Sequence, residues 1–577
     1  MLDVSLLFIA LLPVVLAVAV DETSDRQNFN HTTAFVTGFA FLLALQVFLA
    51  EHEVLVGRWF VFLFWMMALV TTGLRSISLV RSMTLRFVAR FLLGVGLVFS
   101  GFTVWLWPYL RFAAVRRGAP FSNANNDLAI YVMSGDNFLN AGFKEFGRVV
   151  GYQAGALANF EVAGSSSLIA TVSRFTQQSI WRSTNLSMLI LIALTAIGIY
   201  VLLRRWSMPI LIALPAAVWT ISASYARLPQ QNYFLSQIIS RLALVLALIG
   251  IDQVIRKDNR THQVVGSFVI AIATWLSMVS YPAGSISSAA VLIGAIGAYF
   301  LSMWFSKTIS FVSLKKLLII VISFALPLPL LLGRWSLITS NVSLYSKTNI
   351  TGWPASTSSV SEWIGVSVFA DRWTAVLITS LMLVMFVLSL IRLRTTQQQE
   401  AYLGLFTLLS IASAYLLLAI TLGHDAYQVW KFLATVQPLA LCGLLVFVVS
   451  SLKNQTFING KYVVRGIATG LIALVGINII RSSDTYRSNI QFPSMELEVA
   501  SKNQITRTPN LLIRMNPYLE TMIAPVILDL HDALYASDTY LGPASPDDPR
   551  CAISRTKDAA SVEVAKGLYV GPVEACG

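Results

Sequence analysis

A turn between two apolar stretches carries side chains able to hold an anion: Gly423, His424, Asp425, Ala426, Tyr427, Gln428, Val429, Trp430 and Lys431. Apolar runs at 402–421 and 432–450 flank it, each long enough to cross a bilayer as a helix. A lysine that opens an apolar helix, with His, Asp and Tyr just before it, falls at the membrane–water boundary. There it can hold a phosphate carried by a lipid. The alternative is an interfacial anchor, with Lys431 snorkelling and the aromatic rings at headgroup depth. A second candidate lies in the stretch 121–139, where Asn126 or Asp127 is placed to cap a short helix. Tyr131, four residues on, shares the face of Asp127. By periodicity alone, an N-cap is the simpler role for Asp127.

The elements that carry these groups are membrane spans. Hydrophobic residues make up 56% of the 577-residue chain and charged ones 12%, against about 25% charged in soluble proteins. Apolar runs of span length recur at 3–20, 33–50, 58–75, 88–110, 186–203, 207–224, 236–254, 264–280, 284–305, 315–333, 373–393, 402–421, 432–450 and 463–480. The reading is a polytopic α-helical membrane protein of about fourteen spans. The first run lacks a basic segment before it and reads as a retained span, not a signal peptide. The net charge of +13 does not point to nucleic acid, because Lys and Arg gather at span ends.

Every second connection is short and basic, as in the segment with Arg75, Arg81, Arg86 and Arg90, at Arg204–Arg205, at Arg256–Lys257, and at Arg392 and Arg394. By the positive-inside rule these lie in the cytoplasm. The intervening connections then lie outside: the loop 111–185, the loop 225–235, the turn at Tyr281–Pro282, the loop 334–372, the turn 422–431 and the tail from 482. The expectation is a multi-pass plasma-membrane protein with its active face extracytoplasmic. Residues 1–481 form the transmembrane domain, and 482–577 an extracytoplasmic α/β C-terminal domain. Cys551 and Cys576 both fall in that tail and suit a disulfide outside the cytoplasm, whereas Cys442 reads as a packing residue. Phe138, Leu139, Phe143 and Phe146 recur at helical spacing and suit a helix lying along the membrane surface. The stretch 168–181 reads the same way. In the loop 334–372, Trp353 and Trp363 offer surfaces for stacking on sugars or a belt at the interface.

No GxGxxG follows a strand, no phosphate-binding Gly-rich Lys-Ser/Thr loop occurs, and no His/Cys spacing fits zinc. Span centres are largely free of charge and no internal repeat stands out, which disfavours a transporter. A glycan polymerase or ligase, and a lipid or glycan transporter without catalytic activity, stay as alternatives.

The layout resembles the GT-C superfamily of membrane glycosyltransferases, which take a sugar from a polyprenyl-phosphate donor. The matching residues are Asn126-Asp127-Leu128-Ala129-Ile130-Tyr131 in the first large loop, the turn from His424 to Lys431, and the tail. The loop has one carboxylate where several branches of the superfamily have two. The resemblance implies a GT-C-like fold and transfer of a hexosyl or pentosyl group to an extracytoplasmic glycan or lipid-linked acceptor. It makes Asp127 the general base. It places Lys431, His424, Tyr427 and Arg227 on the donor phosphate, and Tyr131, Asp425, Tyr225 and Trp353 near substrate. The partners it implies are the polyprenyl-phosphate-linked sugar, the acceptor and membrane lipids. It names no cofactor and leaves a divalent cation open.

Overall fold

The computed structural model describes residues 4–23, 30–52, 66, 85–117, 119–123, 127–140, 163–231, 233–256, 259–306, 312–336, 338–339, 360–366, 372–396, 398–422, 427–452, 460–485, 490–491, 495–507, 511–514, 518–530, 534–535 and 551–572. Nearly all of it is helix. The helices are α1 (Val4–Thr23), α2 (Asn30–Glu51), α3 (Leu85–Gly101), α4 (Asp127–Asn140), α5 (Ala163–Thr176), α6 (Ile180–Arg205), α7 (Ile210–Ser222), α8 (Ser224–Gln231), α9 (Leu235–Arg256) and α10 (Arg260–Ser280). They continue as α11 (Pro282–Phe305), α12 (Val312–Ala325), α13 (Val360–Trp363), α14 (Arg372–Thr396), α15 (Gln399–Leu422), α16 (Tyr427–Leu452), α17 (Gly460–Thr485), α18 (Met495–Ala500) and α19 (Tyr518–Ile527).

Among the described residues, 11 helices are long and apolar enough to cross a membrane. The expected span 58–75 lies outside the described residues. The expected span 3–20 is the 20-residue helix α1. The expected span 207–224 is instead the 13-residue helix α7, which breaks at Ala223, where the backbone is extended. Helix α7 and the following α8 run through Pro215 and Pro229 respectively, and the chain turns between them at Ala223, where Gln437 of α16 meets the freed N–H groups of Tyr225 and Ala226.

Helices α6, α9 and α16 form the centre, with every residue of their span windows buried. An all-apolar helix belongs there, because neither face must meet a different solvent. Small residues set the closest crossings. A Cβ at Gly250 of α9 would lie 2.8 Å from the Gly266 carbonyl of α10, and one at Gly404 of α15 would lie 2.6 Å from the Gly443 carbonyl of α16. Backbones approach this closely only where both side chains are absent. By contrast α14 buries 6% of its window and presents Trp373, Leu377 and Ile391 outward.

The stretch expected to lie on the membrane surface from 168 onward does not do so. Helix α5 is buried from Ala163 to Ser173 and packs against α2, α4, α6 and α10. Its hydroxyls explain this. Ser167 and Thr171 each donate to Gln46 Oε1 of α2 at 2.7 Å, and Ser165 Oγ lies 2.8 Å from Ser236 Oγ of α9.

Near the C-terminus lies a five-stranded sheet: β3 (Leu512–Arg514), β4 (Leu534–Tyr535), β5 (Ala552–Ser554), β6 (Val562–Ala565) and β7 (Leu568–Gly571), in the order β4-β3-β5-β7-β6. β3 runs parallel to β4 and β5, and β7 is antiparallel to β5 and β6. A separate two-residue pair joins β1 (Ser122–Asn123) to β2 (Ile490–Gln491), antiparallel. It ties the chain just after α17 to the segment leading into Asp127. Helix α19 also packs on α4. Cys551 is disulfide-bonded and Cys442 is free and buried; Cys576 lies outside the described residues.

Candidate functional site

Lys431 sits in the second turn of α16, partly exposed. Its Nζ lies 4.5 Å from the Phe234 ring centre and 5.2 Å from that of Tyr281. Phe234 immediately precedes α9 and Tyr281 is the N-cap of α11. Two aromatic faces therefore hold the ammonium by cation–π attraction at the ends of three helices. Gln237 of α9 donates to the Lys431 carbonyl at 2.8 Å and to Thr435 Oγ1 at 3.3 Å, which fixes α9 against α16 at this level.

Helix α8 carries Tyr225 and Arg227, both buried. It is held by one amide. Gln437 Oε1 of α16 accepts from the backbone N–H groups of Tyr225 (3.0 Å) and Ala226 (3.2 Å), the first-turn donors that an N-cap would otherwise meet. The other end of that amide donates to the carbonyls of Glu362 (2.5 Å) and Trp363 (3.2 Å) in α13. Arg227 donates to the Asn478 carbonyl of α17 at 2.8 Å, while the Asn478 side chain donates to the Gly365 carbonyl at 2.9 Å. Gly365 turns the chain after α13 at a φ of 81°, a conformation that suits glycine. The C-terminal part of the loop 334–372 is thus pinned beside Arg227.

The approach to Asp127 is anchored next door. Phe121 packs on Trp105 at 5.2 Å, on Tyr109 at 4.4 Å and on Tyr233 at 5.8 Å. Tyr233 donates to Asn185 Oδ1, and Asn185 donates to the Ala119 carbonyl at 3.0 Å. Trp105 donates to the Gln230 carbonyl at 2.9 Å. Tyr233 holds a φ of 56°, rare for a bulky residue, and is fully buried. Such strain persists where the surroundings over-determine it, and it concentrates at functional sites. Burial pushes the Tyr233 phenol well above its usual range, against a weaker opposing hydrogen bond from the Phe121 N–H. The phenol therefore stays neutral and acts as a fixed strut.

Asp127 is the first residue of α4. Tyr131 is buried in the core on the same helix. Tyr427 opens α16. His424, Asp425 and Trp353 lie outside the described residues. The structure brings Lys431 and α8 with Arg227 and Tyr225 to one end of the bundle. Tyr233 joins that end to the chain leading into Asp127. Sequence reasoning missed Tyr233, Asn185, Gln437, Asn478 and Gln237. The available signal was a polar residue inside an apolar run, as at Gln437 and Asn478. It missed Arg241 as well, although this residue breaks the run that forms α9.

No protein-family pattern matches the chain, and no characterised protein matches it in sequence. Among solved structures it is similar to an Archaeoglobus fulgidus oligosaccharyltransferase, described as a complex with zinc and sulfate, at 12% identity and a TM-score of 0.37. The match covers 77% of this chain and 62% of that one, so the chain spans less than two thirds of its length.

Proposed function

We propose that this chain is an integral membrane glycosyltransferase that moves a sugar from a polyprenyl-phosphate donor to an extracytoplasmic glycan or lipid-linked acceptor. One observation carries the reading. Lys431 is held at the helix ends by Phe234, and the adjacent Tyr233 anchors the strand of chain that leads to Asp127. A cation suited to a lipid phosphate and a carboxylate suited to a proton thus belong to one end of the bundle.

In this reaction Asp127 takes the proton as the acceptor oxygen attacks the anomeric carbon. The bond from that carbon to the phosphate oxygen breaks on the opposite side, with inversion. The departing phosphate keeps the electron pair, and Lys431, His424, Tyr427 and Arg227 meet its charge. Cations held in place beforehand stabilise such a leaving anion without reorganising. Tyr225, Tyr131, Asp425 and Trp353 complete the substrate surroundings, and residues 482–577 cap the same face. Among the described residues no three His, Cys, Asp or Glu side chains gather as a metal group, and no step here runs through a metal ion.

The test is turnover of Asp127→Asn in membranes supplied with a polyprenyl-phosphate sugar. The expected loss is about 10²- to 10⁴-fold. Near wild-type turnover would eliminate the base and, with it, this mechanism.

A further inference from the structure

Arg241 lies in α9, six residues after its first, or about 9 Å along the axis. It is fully buried. Its guanidinium donates to the Ala226 carbonyl of α8 at 3.1 Å and to the Ala434 carbonyl of α16. Its Nε has no hydrogen-bond partner among the described residues. Among the described residues the ion pairs involve Arg182, Arg204, Arg205, Arg256, Arg334 and His31, and none involves Arg241. A buried charge met by carbonyl dipoles in place of a carboxylate is costly.

Part of the reason is local. Pro438 of α16 has no N–H to give the Ala434 carbonyl four residues back, and Arg241 supplies the missing donor. A neutral donor would do that equally well, so the charge needs another explanation. Both acceptors adjoin the candidate site. Ala226 precedes Arg227, and Ala434 follows Lys431 by three residues, under one turn of α16. Gln237, one turn before Arg241 on the same face of α9, makes the matching contact to the Lys431 carbonyl. The guanidinium thus sets the spacing of α8 and α16. It also leaves a positive charge one turn beneath Lys431, in surroundings where charge is weakly screened.

We propose that Arg241 is the positioning residue of an anion site: it clamps α8 to α16 so that Arg227 and Lys431 face one lipid phosphate, and its charge, which no carboxylate among the described residues pairs, draws that phosphate in. This rests on Lys431 holding the donor phosphate.

The test uses the purified full-length chain in nanodiscs, with a polyprenyl monophosphate and, as its uncharged counterpart, the free polyprenol. Arg241→Gln keeps a donor for Ala434 and removes the charge; Arg241→Lys keeps the charge and loses the fork. Arg241→Gln is expected to hold its ligand-free thermal midpoint, to bind the monophosphate about tenfold more weakly, and to bind polyprenol as the wild type does. Arg241→Lys should fall between. Unchanged monophosphate affinity in a folded Arg241→Gln overturns the proposal, as does an equal loss for both lipids. Failure of both variants to fold also overturns it, since Arg241 would then belong to the fold alone. Wild-type monophosphate affinity in Lys431→Ala removes the phosphate reading instead, whatever Arg241 does.

Discussion

The two ends of helix α9 treat buried charge in opposite ways. At one end Asp252 of α9 pairs with Arg205 and Arg256, each at 2.8 Å, and accepts from Tyr299 at 2.7 Å. Arg256 continues to Glu400 at 3.4 Å. Nearby, Glu22 of α1 accepts from Tyr200 at 2.5 Å and from Arg204 at 2.8 Å. Carboxylate and guanidinium neutralise each other here and join α1, α6, α9, α11 and α15. Toward the other end of α9, Arg241 is met, among the described residues, by carbonyls alone. At the first end Asp252, Glu22 and Glu400 each meet an arginine. The second keeps a positive potential inside a rigid frame, which is what an anion site requires before its anion arrives.

The largest way to break this comparison is at the paired end. Asp252→Ala should leave Arg205 buried beside Tyr299 without its counter-charge, and Arg256 with the longer pair to Glu400, at a cost of about 3–5 kcal/mol. Detergent thermal unfolding would read it. Added polyprenyl monophosphate should not selectively rescue it, and rescue would erase the distinction between the ends. Next comes Tyr233→Phe, which removes the donor to Asn185 and strands polar groups around residues 119–121. We expect a loss of about 1–3 kcal/mol, with turnover falling further than donor affinity because the chain into Asp127 loosens. Equal stability and turnover to wild type would detach Tyr233 from the site. The smallest effect should come from Arg182→Ala, which breaks a 2.6 Å ion pair with Glu498 of α18 between side chains 29% and 39% exposed. About 1 kcal/mol or less is expected, and the sensitive readout is proteolysis of the region after α17.

Much of the helical framework was legible in advance. Runs such as 236–254 and 432–450 are apolar because lipid and core demand the same residues, so their lengths announce helices that cross a membrane. The 207–224 run gives a shorter helix because the backbone turns extended at Ala223, where Gln437 of α16 accepts from the Tyr225 and Ala226 N–H groups, a tertiary contact that hydropathy does not weigh. Helix α5 was misjudged for a related reason. Its hydroxyls look like a solvated face until Gln46 and Ser236 appear opposite them. At the site, Lys431 and Arg227 drew attention by residue type. Tyr233 and Asn478 did not, because one aromatic or amide in an apolar run reads alike whether it faces lipid or a partner.

By itself the sequence determined that this chain is a many-helix membrane protein, and it marked a cationic turn and a capped acidic loop as the places for chemistry. Only the tertiary structure decided that Lys431 rests between Phe234 and Tyr281, that Tyr233 couples this end to the chain before Asp127, and that Arg241 lies beneath them, held by two backbone carbonyls. Composition and spacing record which groups a chain carries and what solvent each segment tolerates. Whether a buried charge is neutralised depends on which helices meet, and residues 226, 241 and 434 become neighbours only when α8, α9 and α16 pack together.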